Sequence, residues 1–183
     1  MTAGGGASGA AKRIAVVVGN PKPASRTLGA AVTVADVLAE ATGAPVDHLV
    51  IDLAEHAASL FDWAAPELSR LTAEVATADL AVFASPTYKA SYTGMLKAFL
   101  DRYGSNGLAG LVAVPLMTGG WPGHLLAVEV HLRPVLVELG AVVPARGLYI
   151  TEPEFGDLEA AVGKWAGAGL PRIRAALTAG PTG

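Results

Sequence analysis

The stretch VVVGNPKPASRTLGAA, residues 16–31, passes from apolar to polar and back to apolar. The valines read as the end of a buried strand, and the residues from Ser25 onward read as the start of a helix. The loop between them holds two prolines, a lysine, an arginine and two hydroxyl side chains. This is one strand–loop–helix unit, and its value for the fold depends on whether the pattern repeats.

It repeats five times. Strands are predicted at 13–18, 46–52, 80–85, 108–117 and within 141–150. Helices are predicted over 25–41, 66–77, 93–103, about 123–139 and 157–178, with Pro66 suited to a first helical turn and Gly140 to a helix stop. Such alternation argues for an α/β domain with a parallel sheet covered by helices on both faces. Right-handed crossovers leave few topologies. Five strands favour the flavodoxin-like doubly wound order 2-1-3-4-5, in which ligands bind beyond the carboxyl ends of the strands. Residues 13–178 form the expected single domain. The Gly/Ala-rich residues 1–12 read as a disordered leader without the apolar core of a signal peptide, and 179–183 as a flexible tail.

Composition narrows the class. Of 183 residues, 52% are hydrophobic and 16% charged, which implies a large core or a buried subunit interface. Net charge is −3 and the 13 basic residues are scattered, so nucleic acid is not an expected partner. No apolar run approaches the roughly 20 residues needed to span a bilayer. Cysteine is absent, which excludes disulfides, thiolate metal sites and a cysteine nucleophile, and fits a cytoplasmic location. His48, His56, His124 and His131 are too dispersed in sequence to read as a metal site.

The first loop has the chemistry of an anion site. A helix N-terminus offers free N–H groups and a partial positive charge. Ser25 and Thr27 add hydroxyl donors, and Lys22 and Arg26 add full charges. Pro21 and Pro23 stiffen the approach. The Gly-Lys pair of a P-loop and the G-x-G-x-x-G fingerprint are both missing. Gly19–Asn20 and Ser85–Pro86 stand where a phospho-acceptor receiver would carry acids. Ser25 as a simple helix cap is an equally good reading, and the two are compatible.

Two further loops would converge on the same edge. In SPTYKASYTG, residues 85–94, Pro86 ends the strand, and Thr87 and Tyr88 would present backbone N–H groups and an aromatic face to a planar ligand. Tyr92 reads instead as a packing residue at the start of the next helix. In TGGWPGH, residues 118–124, Thr118 supplies a hydroxyl, and Gly119 and Gly120 would let the backbone approach a ligand. Trp121 reads either as part of a lid or as an exposed loop aromatic, and His124 as a cap or surface residue. Pro134, inside the fourth predicted helix, removes one hydrogen bond and crowds the carbonyl of Val130, which suggests a kink or π-bulge near Val130–His131.

Three stretches, GNPKPASRT (19–27), SPTYKASYTGMLKAFLD (85–101) and TGGWPGHLLAVEVHLRPVLVELGA (118–141), together resemble the NADPH-dependent FMN reductase family. The likeness covers roughly residues 13–150. It is greatest to the reductase components of two-component alkanesulfonate monooxygenases. The resemblance implies an FMN site with the phosphate at Ser25, Arg26 and Thr27, beside Asn20 and Lys22. It places the isoalloxazine ring against Pro86, Thr87 and Tyr88, bordered by Thr118, Gly119 and Gly120, with Ser85 also among the cofactor-binding residues. It also implies NADPH or NADH as hydride donor, a homodimer or homotetramer, and a flavin-dependent monooxygenase as recipient of reduced FMN. Nicotinamide stacking on the flavin would need positioning and no catalytic side chain.

The chain departs from the family pattern at Asn20, where serine is common, at the bulky Trp121–Pro122 pair, and at Val130–His131, where a tyrosine is usual. Rival readings are a flavin-retaining quinone, azo or chromate reductase, and a flavin-binding electron carrier without nicotinamide activity. A carrier would ordinarily be more acidic than this chain.

Overall fold

A computed structural model describes residues 11–179. The proposed leader and tail therefore lie outside the described residues, apart from residues 11, 12 and 179. The strands are β1 (Lys12–Val18), β2 (Val46–Asp52), β3 (Leu80–Pro86), β4 (Val112–Gly119) and β5 (Leu148–Thr151). The helices are α1 (Arg26–Thr42), α2 (Pro66–Ala76), α3 (Gly94–Leu100), α4 (Arg133–Glu138) and α5 (Leu158–Ala179). All strands are parallel, in the order 2-1-3-4-5.

Both faces of the sheet are covered, and the side chains divide with strand period 2. Ile14, Val16 and Val18 of β1, with Leu80 and Val82 of β3, point to the layer of α1 and α5. Ala15, Val17, Ala81 and Phe83 point to the layer of α2, α3 and α4. Every residue of β3 is buried, as expected of a central parallel strand. The turn after α1 closes on Gly43 at φ +64°, the left-handed conformation that suits glycine.

Three boundaries differ from the sequence expectation. Lys12, assigned to the leader, begins β1, where it pairs with Val46 and its ammonium group reaches Asp79 at 2.8 Å. Residues 108–111 are turns rather than strand. Leu108 and Leu111 are buried there as core side chains, which mimics a strand in an apolar count. The fifth strand is interrupted. Val142 makes an isolated bridge with Val112, and regular pairing resumes only at Leu148. Pro115 explains the gap. Ala113 donates to the Val142 carbonyl at 2.8 Å, and Pro115, two residues on, faces the same side without an N–H.

The helix before this gap seals it. Val128–Leu132 forms a π-helical turn leading directly into α4, where Pro134 and Val130 suggested a bulge. The Arg133 guanidinium donates to the carbonyls of Ala145 and Val143 at 2.8 and 2.6 Å. The Glu129 carboxylate accepts from the Gly147 amide. Backbone groups that lack a strand partner thus find side chains instead.

Candidate functional site

The chain turns one way from β1 to β2 and the other way from β2 to β3, so the carboxyl ends of β1 and β3 flank a topological switch point. A cavity of about 330 Å³ opens there. Its walls come from the loop after β1 (Asn20, Lys22, Ser25–Thr27), the loop after β3 (Pro86–Tyr88), the end of β4 (Thr118–Gly120) and the turn after β5 (Glu152, Phe155).

The first wall is the start of α1. Ser25 takes extended dihedrals, and its hydroxyl accepts from the Leu28 amide at 3.2 Å, so it caps the helix as well as lining the cavity. The amides of the first helical turn have no carbonyl partner within their own helix. Asn20 shapes the loop: its carbonyl oxygen accepts from the Lys22 amide at 2.9 Å, and its Nδ2 donates to Thr27 Oγ1 at 3.1 Å. Thr27 Oγ1 and Thr118 Oγ1 lie 2.9 Å apart, both buried. Asn20, Thr27 and Thr118 therefore form one hydroxyl–amide chain along the cavity floor, joining β1's loop to β4. Thr93 Oγ1 donates to the Gly19 carbonyl, fixing the same loop to the start of α3.

The second wall differs from expectation in its backbone. The Thr87 amide donates to the Thr118 carbonyl at 2.7 Å, and the Tyr88 amide to the Ser91 carbonyl at 2.8 Å. Neither is free for a ligand. Tyr88 and Ser91 close a tight turn through Lys89 and Ala90, both in the left-handed region, at φ +51° and +64°. The turn leaves the Tyr88 ring 53% exposed at the cavity wall.

Ser85 does not reach the cavity. It is fully buried, its hydroxyl donates to the Pro86 carbonyl and accepts from the Thr93 amide at 2.9 Å, and it braces the turn from behind. Its inclusion rested on adjacency in sequence, but alternation along β3 turns it inward. Gly119 also has a structural reason. A Cβ there would lie 2.1 Å from the Tyr149 hydroxyl, whereas a Cβ at Gly120 meets open space. Trp121 is an exposed loop aromatic that packs edge-on to His124, centroids 5.0 Å apart. Tyr92 packs against the core, as read from sequence.

The fourth wall escaped the sequence reading. Glu152 and Phe155 follow β5, whose carboxyl end reaches the same edge. The T-x-x-E pattern of Thr151 and Glu154 marked a helical turn there, and both halves of that capping box are formed. Glu152 pairs with Arg26 through both guanidinium ends, at 2.5 and 2.9 Å, and the guanidinium lies over the Phe155 ring at 4.8 Å. The hydrogen bond from Arg26 holds the Glu152 carboxyl below its ordinary value. Among the described residues, no three metal-ligating side chains cluster, and no helix is long and apolar enough to cross a membrane.

The site can thus offer donors to an anion at the α1 N-terminus, beside Lys22 and Arg26, next to a wall formed by the paired ends of Pro86–Tyr88 and Thr118–Gly120. These donors suit a phosphate ester carrying a planar group. The model of the NADPH-dependent FMN reductase family matches residues 12–154. The chain belongs to that family. An FMN reductase (NADPH) of Pseudomonas aeruginosa is 34% identical over 151 residues, 80% of each chain. An FMN reductase (NADPH) of Escherichia coli K12 is 40% identical over 92 residues, half of this chain, and the matched part is 48% of that relative's length. The structure of an NADH:FMN oxidoreductase in its apo form superposes with a TM-score of 0.69 at 30% identity, covering 84% of this chain and 88% of that one.

Proposed function

We propose that this protein binds FMN at the cavity and reduces it with NADPH or NADH. The observation that carries the reading is the joining of a helix N-terminus, two cations and two aromatic side chains in one cavity, in a chain of the FMN reductase family. One relative matched over 80% of its length is named for NADPH and one solved homologue for NADH, so the nicotinamide is written as either.

The flavin, when bound, supplies the two-electron acceptor for a nicotinamide hydride. The residues of this chain bind and orient. Ser25, Arg26, Thr27 and Lys22 take the phosphate, with Asn20 holding their loop in shape. Pro86, Thr87 and Tyr88 face one side of the ring, and Thr118, Gly119 and Gly120 its edge. No acid or base is needed, because proximity of the two rings is the lever.

The product is reduced FMN, and the proposed recipient is a flavin-dependent monooxygenase. An enzyme consuming NAD(P)H belongs with those nucleotides in the cytoplasm. The exposed apolar side chains of Leu126, of Val130 in the π-helical turn and of Val137 in α4 support assembly as a homodimer or homotetramer. Light scattering of the purified chain measures that mass.

Steady-state oxidation of NADPH and of NADH, with and without added FMN, tests the function. FMN-dependent turnover with at least one nucleotide is expected, and none with either overturns it. Flavin that survives gel filtration, with turnover of a quinone or azo acceptor, would place the chain among prosthetic-flavin reductases.

A further inference from the structure

Two cations, Lys22 and Arg26, and one acid, Glu152, line the cavity, and Glu152 pairs with Arg26. Arg26 presents both terminal nitrogens to that carboxylate, in the bidentate geometry it would offer a phosphate. Phe155 lies under the guanidinium plane and fixes its direction. The pair is open to water, with side chains 64% and 55% exposed, so it forms and breaks at little cost. A carboxylate in this place does two things to an incoming dianion. It occupies the preferred edge of the arginine, and it adds a negative charge to a site otherwise built for one.

We propose that Glu152 is a counter-charge that competes with the FMN phosphate for Arg26, lowers the affinity of the site for FMN, and so makes the flavin exchangeable. This rests on the FMN reading above and goes beyond it. It assigns a residue that keeps the flavin a substrate rather than a resident group. The turn carrying Glu152 is fixed independently of it, because Glu154 accepts from the amide and hydroxyl of Thr151 at 2.7 and 2.6 Å. Removing the charge of Glu152 therefore leaves the turn standing.

The test is Glu152→Gln in the full chain, titrated with FMN and with riboflavin, which lacks the phosphate, by flavin fluorescence. Dissociation rates come from stopped-flow dilution. Glu159→Gln, which removes the same charge from α5 outside the cavity lining, is the control. FMN should bind three- to tenfold more tightly to Glu152→Gln, through slower dissociation. Riboflavin should change less than twofold, and the gain should shrink as salt is raised. Equal or weaker FMN binding by Glu152→Gln overturns the proposal and makes Glu152 a brace for Arg26. An equal gain in riboflavin affinity, or in Glu159→Gln, also overturns it. If the unaltered chain binds no FMN, the functional reading itself falls and takes this one with it.

Discussion

The Asp52 carboxylate, at the end of β2, accepts a hydrogen bond from the Ala24 amide at 2.9 Å, and Ala24 sits in the left-handed region at φ +49°. A buried carboxylate from a neighbouring strand thus holds a strained residue one position before Ser25. The strain of a left-handed alanine is roughly 1–2 kcal/mol. A hydrogen bond to a charged group contributes about 1.5–3 kcal/mol, enough to hold it. Asp52→Ala should lower stability by about 2 kcal/mol and weaken FMN binding at least tenfold. Ala24→Gly should keep FMN affinity within twofold and raise stability slightly. Urea unfolding and flavin titration measure both. Unchanged FMN affinity in Asp52→Ala would show that the loop needs no support from β2.

The assignment of the phosphate rests on three consecutive residues. Replacing Ser25, Arg26 and Thr27 together by alanine should raise the FMN dissociation constant far more than that of riboflavin. The fold should survive at a cost of about 1 kcal/mol from the lost cap, plus the loss of the Asn20–Thr27–Thr118 chain. Equal losses for the two ligands in parallel fluorescence titrations would remove the phosphate from this loop.

Gly119 and Gly120 are neighbours with opposite demands. Gly119→Ala must displace the Tyr149 hydroxyl, to which Thr87 Oγ1 donates at 3.2 Å, and so disturb the cavity wall from behind. Gly120→Ala adds a methyl group to open space. Melting temperature and FMN affinity should both fall for Gly119→Ala, whereas Gly120→Ala should keep the parent's melting temperature and lose FMN affinity. Lost affinity without lost stability is the mark of a ligand-contact role for Gly120.

Asp79 links pH to stability. Burial alone would raise its pKa, but hydrogen bonds from the Lys12 ammonium and the Arg13 amide outweigh this and hold it below the ordinary carboxylate value. Because the folded value is depressed, the contribution is complete above the ordinary carboxylate range and is lost as pH falls through the folded value. Asp79→Asn should be less stable by about 1 kcal/mol near neutrality, discounted for partial exposure. The gap should close below about pH 4. Denaturant midpoints of the two proteins across this range read the difference directly, and a gap independent of pH would assign it to packing.

The first three strands were legible because each is an apolar run bounded by turn residues, the fifth only as a region, and right-handed crossovers with five strands favoured their order. The π-turn was legible in Pro134 and Val130. Leu108 and Leu111 misled because core side chains on turns count the same as strand residues. Ser85 misled because sequence adjacency ignores which way a strand residue points. Asp52, Glu152 and Phe155 carried no local signal for the site. Asp52 acts on a residue 28 positions away and Glu152 on one 126 positions away, so only the folded sheet brings them together.

The interrupted strand at Pro115 has a consequence for how the protein avoids its own copies. With the order 2-1-3-4-5, β5 is an edge, and long flat edges template pairing with other chains. Here that edge is four residues long, and the segment before it has carbonyls and an amide held by Arg133 and Glu129. A proline in the neighbouring strand thus blunts the edge, and a chain this rich in apolar residues is less open to strand-by-strand aggregation there.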